Sequence, residues 1–352
     1  MVLDPSRPDF SALGELSVVS NPVGHASPSE VMYPGGPQVD GGLLAPGDPM
    51  PENAGPGGRR PDWLKVRIGA GAMYANTKHV LRDGALNTVC EEARCPNVGE
   101  CWALGTATFM ILGSVCTRNC GFCAIDTGRP PITDLDEPRR VAEATRLMAL
   151  KHVVVTMVAR DDLPDGGAAM VADTIRQIRL ENPGTSIEVL ISDLNGRPAD
   201  IRTVVEAQPD ILNHNVETVP RLQRLVRRRA RWDRSVSVLT QGRAVAAEIG
   251  FDDMVTKTGM MLGLGETSDE IIEAMQLLRE ADVDVLTIGQ YLRPSRQHLP
   301  LVKYYTPAEF MGLRRLGLEM GFRHVQSGPL VRSSYHAAEQ VPPAETPTAA
   351  VV

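Results

Sequence analysis

The chain has 352 residues, a net charge of −7 and a pI near 5.6, long enough to bury a large core. That charge gives no electrostatic case for a nucleic-acid partner. No stretch approaches the ~18 apolar residues of a membrane span, and the N-terminus has no charged segment leading into an apolar one. Neither a membrane association nor a secretory signal is therefore expected, and the expected location is cytoplasmic.

Residues 1–60 contain ten Pro and ten Gly, with Phe10 and Tyr33 the only aromatic residues. A third of the segment being Pro or Gly without a period predicts a disordered extension over 1–58. From residue 59 the composition turns globular, and 59–107 reads as an N-terminal extension that ends in a cysteine triplet, CEEARCPNVGEC (90–101). The main body is expected over 108–336, followed by a second disordered tail over 337–352.

Within that body, short apolar runs predict buried strands at 108–115, 152–159, 186–194, 210–218, 254–265 and 283–292. Helical patterns lie between them, at 137–151, 235–250 and 267–281 for example. Strands alternating with helices of this length indicate βαβ units and a parallel sheet. Six such units suit an α/β fold of the partial (β/α)6, TIM-type barrel kind better than a doubly wound sheet. In such barrels chemistry gathers where strands give way to loops at their C-terminal ends. Here those ends read GSVCTRNC, ARDDLPDGG, NHNVET, LGLGET and GQYLRPS, all polar, charged or glycine-rich.

The cysteines are the most informative residues. All six, Cys90, Cys95, Cys101, Cys116, Cys120 and Cys123, fall within 34 residues. Clustered thiols in a large chain without an export signal favour metal ligation over disulfides. A structural zinc site usually takes four ligands as two CxxC knuckles, but CxxC occurs once, at 120–123, and the nearest histidines, His79 and His152, are distant in sequence. Pooling the thiols in one zinc site is compatible with the composition but leaves the spacings, CxxxCxxC and Cx4Cx5C, unaccounted for. Iron–sulfur clusters are held by thiolates, and a cubane on three cysteines leaves one iron open to another ligand.

CTRNCGFC, directly after the first predicted strand, resembles the cluster loop of the radical S-adenosylmethionine superfamily. CEEARCPNVGEC resembles the auxiliary-cluster motif of lipoyl synthases. The likeness runs almost continuously from about 59 to 336, through TATFMILGSVCTRNCGFCAIDTGRP, RDDLPDGGA, NHNVETV, TKTGMMLGLGET, GQYLRPS with HLP, and GPLVRSSYHA. CxxxCxxC alone is a moderate signal; with the upstream triplet and the terminal RSSY it is highly specific.

The resemblance implies two 4Fe–4S clusters and S-adenosylmethionine as cofactors. Cys116, Cys120 and Cys123 would hold the first cluster, whose fourth iron chelates the cofactor and generates a 5′-deoxyadenosyl radical. Cys90, Cys95 and Cys101, with Ser334 of RSSY as fourth ligand, would hold the second, the sacrificial sulfur source. The implied reaction inserts sulfur at carbons six and eight of an octanoyl group on a carrier-protein lysine. The implied partners are octanoylated lipoyl-carrier domains, among them the glycine-cleavage carrier protein and the acyltransferase subunits of 2-oxoacid dehydrogenases. An electron donor such as flavodoxin or ferredoxin, and iron–sulfur assembly proteins, are implied as well. A related sulfur-inserting radical enzyme with a different carrier is one alternative. A non-catalytic iron–sulfur electron carrier or a zinc-stabilised scaffold is another, of a different class.

Other motifs carry two readings each. MLGLGET (261–267) is a turn by its glycines and, in the superfamily, an element near the adenine. In NHNVET (213–218), the resemblance makes Asn215 and Glu217 candidates for contacts to the cofactor's ribose or amino-acid end. His214, one residue away, faces the opposite side of an extended strand and reads as structural. ARDDLPDGG (159–167) supplies Arg160, Asp161, Asp162 and Asp165, either as a helix N-terminus or as positioning residues. Arg332, beside the ligand serine, is expected to orient that loop. The arginines within 224–234 read as a solvated helix face or as a docking surface for an acidic partner. One block departs from the family: TMVARDDL stands where TSVDRDDL or TSVNRDDL is usual, placing Met157 and Ala159 just before the rim.

Overall fold

A computed structural model describes residues 60–66 and 69–340. The disordered extension expected over 1–58 lies outside them. So does most of the expected tail, except that Ala337–Gln340 form a single 3-10 turn with Ala337 and Gln340 buried.

The six predicted strands are all present and in order. After a short helix α1 (Ala72–Asp83), strand β1 (Asn87–Thr88) and helices α2 (Val89–Glu92) and α3 (Val98–Ala103) come β2 (Thr108–Ile111) and a small parallel pair, β3 (Val115–Cys116) and β4 (Asp126–Thr127). The alternation then begins: α4 (Glu137–Leu147), β5 (His152–Met157), α5 (Ala168–Glu181), β6 (Ser186–Leu190), α6 (Pro198–Val205) and β7 (Ile211–Asn213). It continues with α7 (Gln223–Val226), α8 (Trp232–Glu248), β8 (Val255–Leu262), α9 (Ser268–Glu280), β9 (Val285–Gln290), α10 (Pro307–Glu319) and β10 (His324–Gly328).

Eight strands form one sheet in the order β1-β2-β5-β6-β7-β8-β9-β10. All neighbours pair in parallel except β1, which runs antiparallel to β2. Six strand–helix units therefore follow one another and a further parallel strand, β10, ends the row; β1 and β10 do not pair, so the sheet stays open. Consecutive helices touch, α4 on α5, α5 on α6 and α6 on α8, and so build a layer over the sheet. Local signals fit this outcome. Thr267 and Glu270 cap α9 reciprocally, and Thr306 and Glu309 do the same for α10, where Pro307 takes the first turn.

The alternation of each strand divides the sheet into two faces. On the helix side, Val153, Val155, Ile187, Val189 and Leu212 join one apolar core, and Met260, Leu262, Leu286 and Ile288 join a second. The opposite face carries His152, Glu188, Asn213, Lys257, Gly259, Thr287 and Gly289, over a small apolar floor of Ile211, Val255 and Val285. A polar inner face is what a barrel lumen requires.

Near that floor, Lys257 Nζ donates to the Glu188 carboxylate at 2.9 Å, and both side chains are fully enclosed. Asn213 Nδ2 donates to the same carboxylate at 2.7 Å. Burial alone would raise the Glu188 carboxyl, yet Lys257 and His152 bring it down to about 2. Lys257→Met should therefore cost on the order of 3–5 kcal/mol in a denaturant titration, because it strands a buried carboxylate. Adding Glu188→Gln in the same chain should recover part of that loss; equal stability of the single and double variants would refute the pairing.

A two-cluster candidate active site

The two thiol groups lie at different places on the sheet: Cys116, Cys120 and Cys123 follow the C-terminal end of β2, whereas Cys90 meets the backbone of Thr108, at the start of that strand. All six cysteines are free, so the disulfide alternative does not hold. Cys90, at the start of α2, is buried, and its Sγ interacts with Cys95; Cys101 on α3 interacts with both. Thr88 caps α2 through the Glu91 N–H. Burial pushes Cys90 up to about 11, and burial together with Cys90, Cys95 and Glu100 pushes Cys101 up to about 12.

The second group forms between β3 and β4, where Cys116, Cys120 and Cys123 interact with one another. Burial raises Cys120 to about 11 and Cys123 to about 12. Thiols this enclosed stay protonated unless a cation replaces the proton, and a coordinated metal does that. Among the described residues, no three His, Cys, Asp or Glu side chains converge closely enough for a single ion. Two separate groups of three free, mutually interacting thiols are the donor type that iron–sulfur clusters take.

The cluster loop is clamped from three directions. Arg118, between Cys116 and Cys120, is buried and donates to Asp161 through Nε at 2.9 Å and Nη2 at 2.7 Å. Its Nη2 also reaches Asp193 at 2.7 Å and Asn195 Oδ1 at 3.1 Å. Burial would raise the Asp193 carboxyl, but Arg118, then His214 and Arg234, bring it down to about 2. Thr117 N and Oγ1 both donate to the Ala159 carbonyl, at 3.0 and 2.9 Å. From the far side, Leu299 N donates to the Gly121 carbonyl at 2.8 Å, and His298 Nε2 lies 3.0 Å from the Cys123 carbonyl.

The C-terminal segment runs along the inner face of β9 and β8 and links the two thiol groups. Asn97 Nδ2 donates to Leu330 O at 2.7 Å, and Tyr335 Oη donates to Glu100 at 3.1 Å, so residues 330–335 sit on the loop that carries the first triplet. Arg332 faces Cys95, and Tyr335 faces Cys101. The Tyr335 N–H closes a turn onto Arg332 O at 2.9 Å, which puts Ser333 and Ser334 at its corner. Ser333 Oγ accepts from Asn215 Nδ2 at 2.7 Å.

The strap passes so close to β9 that a Cβ on Gly289 would lie 2.1 Å from Val331 O. A Cβ on Gly259 would lie 2.9 Å from Asn215 Oδ1 and 3.2 Å from Ser333 Oγ. Only glycine fits at either place.

Asn215 and Glu217, named from the sequence, meet here: Asn215 Nδ2 donates to Glu217 at 3.1 Å, while its buried Oδ1 has no partner. Glu217 takes a left-handed conformation (φ 68) and pairs with Met260 across the end of β8. A non-glycine residue held there by backbone bonds marks a constrained position. Burial raises its carboxyl, against the pull of Arg227, Asn215 and Arg332. Glu217 also acts on Cys120 and Cys123, so Arg332 and Glu217 stand between the two thiol groups.

The remaining motifs separate cleanly. His214 is structural, with Nδ1 2.8 Å from Ile191 O and Nε2 3.1 Å from Ser235 Oγ. Asp165 takes the helix-terminus role, accepting from the Gly167 and Ala169 N–H groups at 3.0 and 2.8 Å. MLGLGET is a turn, with Gly263 and Gly265 at φ +111 and +105 and Glu266 accepting from the Gly263 and Leu264 N–H groups. Met157 turns toward the helix-side core, and Ala159 contributes its carbonyl to the Thr117 bonds.

Arg227 differs from the reading of its run as a solvated face. It is buried and donates through Nη1 to Asn215 O at 2.8 Å and Ser235 Oγ at 3.0 Å. An arginine run reads as surface by composition, and its only sequence clue is the apolar pair Leu225–Val226 just before it.

A β/α sheet with a cysteine loop at its rim defines the class, and the description "Radical SAM superfamily" matches residues 110–278. That membership carries one 4Fe–4S cluster and S-adenosylmethionine. A second model, the N-terminal domain of lipoyl synthase, matches residues 50–95. Lipoyl synthase of Rubrobacter xylanophilus is 57% identical over 80% of this chain and 86% of its own. Those of Bacillus mycoides and Geobacillus thermodenitrificans are 55% and 56% identical over 83% and 80% of this chain, and 96% and 94% of theirs. The chain belongs to the lipoyl synthase family of radical S-adenosylmethionine enzymes.

Proposed function

We propose that this chain inserts two sulfur atoms, at carbons six and eight, into an octanoyl group carried on a lysine of a lipoyl-carrier domain. In this reading Cys116, Cys120 and Cys123 hold the cluster that chelates S-adenosylmethionine. Cys90, Cys95, Cys101 and Ser334 hold a second 4Fe–4S cluster. When bound, the first centre supplies hydrogen abstraction from an unactivated methylene, and the second supplies the sulfur.

The observation that carries the reading is the C-terminal strap across the inner face of the sheet. It brings the Ser333–Ser334 turn to Cys95 and Cys101 and, through Arg332 and Glu217, to the edge of the other triplet. The protein's own work is positioning and exclusion of water. Arg118, Asp161 and Asp193 fix the cluster loop. The unpartnered Asn215 Oδ1 offers an acceptor, and Glu217 a carboxylate, to the amino-acid or ribose end of the cofactor. Val331, packed over Gly289, helps close the lumen.

The natural carriers in this reading are the glycine-cleavage carrier protein and the acyltransferase subunits of 2-oxoacid dehydrogenases. Flavodoxin or ferredoxin delivers the electron, and iron–sulfur assembly proteins load both sites. Six free cysteines suit a reducing compartment, in keeping with the cytoplasm; no helix among the described residues is long and apolar enough to cross a membrane.

Mass spectrometry of an octanoylated carrier peptide after anaerobic turnover tests the reading. The expected product gains two sulfurs and loses two hydrogens. Fully iron-loaded enzyme that releases 5′-deoxyadenosine and leaves the octanoyl chain free of sulfur would overturn it.

A further inference from the structure

Between Glu217 and Asp233 the chain has six arginines and no acidic residue. Arg227 turns inward, while Arg224, Arg228 and Arg229 are exposed. Arg221 is tied to Glu270, and Arg231 to Asp233. Arg224 and Arg228 have no carboxylate partner among the described residues. Holding unneutralised guanidinium groups together is unfavourable by mutual repulsion unless something acidic meets them.

This segment belongs to the rim of the site. Val226 O accepts from the Gly121 N–H of the cluster loop at 2.9 Å. Arg229 lies 3.7 Å from Asp161, whose carboxylate in turn holds Arg118. Arg227 carries the same stretch of chain into the mouth at Asn215. An octanoyl group on a lysine has a short reach, so the protein that bears it must sit on the border of the opening. The chain as a whole is acidic, so a second acidic protein is repelled by its average surface and is oriented by a local basic patch.

We propose that the exposed arginines 224, 228 and 229 form the dock for an acidic carrier domain, with its acyl-lysine arm entering the mouth beside Arg227. The proposal rests on the sulfur-insertion reading for the identity of the arm, but not for the contact itself.

The test uses the full-length, iron-loaded enzyme with Arg224→Glu and Arg228→Glu combined; both residues are exposed, and among the described residues neither side chain bonds or ion-pairs to the cluster loop. Two probes are compared: an octanoylated carrier domain of net negative charge, and a short uncharged octanoyl-lysine peptide. For the carrier domain, Kd by calorimetry and KM should each rise roughly tenfold at low salt, with kcat unchanged. The gap between variant and parent should narrow as salt increases. Turnover of the uncharged peptide should stay at the parent level, and a carrier domain with its acidic surface residues changed to lysine should lose its preference for the parent enzyme. Unchanged carrier affinity at low salt would overturn the proposal, as would an equal loss with the uncharged peptide. Because calorimetry reads binding alone, a failure of sulfur insertion in the parent enzyme would count against the reaction and not against the dock.

Discussion

Cys120→Ala should leave no detectable reductive cleavage of S-adenosylmethionine, whereas Cys101→Ala should keep cleavage and lose sulfur insertion. Each variant removes one thiol from one of two separate groups, 116/120/123 or 90/95/101. If each group holds a cubane, anaerobically reconstituted parent protein binds about eight irons per chain, and each variant about four. The two variants are then matched in iron content and opposite in chemistry. Measuring 5′-deoxyadenosine and sulfur-containing product side by side checks the assignment. Loss of cleavage in both variants would show that the corners do not work independently. Zinc in place of iron would refute the cluster reading altogether.

The second large effect concerns two adjacent serines. Ser334→Ala should lower lipoyl product at least tenfold while cofactor cleavage continues at least in part. Ser333→Ala should weaken cofactor binding instead. The structure separates their roles: the Ser333 hydroxyl already accepts from Asn215, and Ser334 occupies the turn between Arg332, which faces Cys95, and Tyr335, which faces Cys101. Electron paramagnetic resonance of the reduced Ser334→Ala protein should show a changed second signal and an unchanged first one. Normal sulfur insertion by this variant would assign the fourth position to another group.

Much of this was legible in the sequence because it rests on short-range patterns. The six central strands are short, largely apolar stretches between polar or glycine-rich segments, and their alternation with helices marks a parallel sheet. Their predicted C-terminal ends ran long at β2, β5, β6, β7, β8 and β9, because the polar rim begins while the chain is still extended. Strand β10 was not singled out. HVQSG has a single fully buried side chain, Val325, and its pairing with β9 supplies what its pattern lacks. Strand β1, two residues long, has no pattern to read.

The site divides in the same way. Both cysteine triplets are set by local spacing, and Asn215 and Glu217 sit in a readable strand end. Arg118, Asp193, Arg227 and His298 act through partners many positions distant, such as Asp161 for Arg118 and the Cys123 carbonyl for His298. Pairings at that separation leave no period in the chain. Asp161 was visible as one of three acidic residues in its motif, and only the fold decides that it grips the cluster loop while Asp165 caps a helix.

The strap has a consequence for how the protein is made. Asn97 meets Leu330 across 233 positions of chain, and Glu100 meets Tyr335 across 235. A ribosome has therefore delivered both thiol groups and strands β1 to β8 well before it delivers residues 330–335, which follow β10 directly. A nascent or prematurely ended chain presents the Cys90–Cys101 corner uncovered, and the corner is covered only when translation reaches the last described residues. If Ser334 is the fourth ligand of a second cluster, that ligand set is complete only once the chain has run 233 positions beyond Cys101.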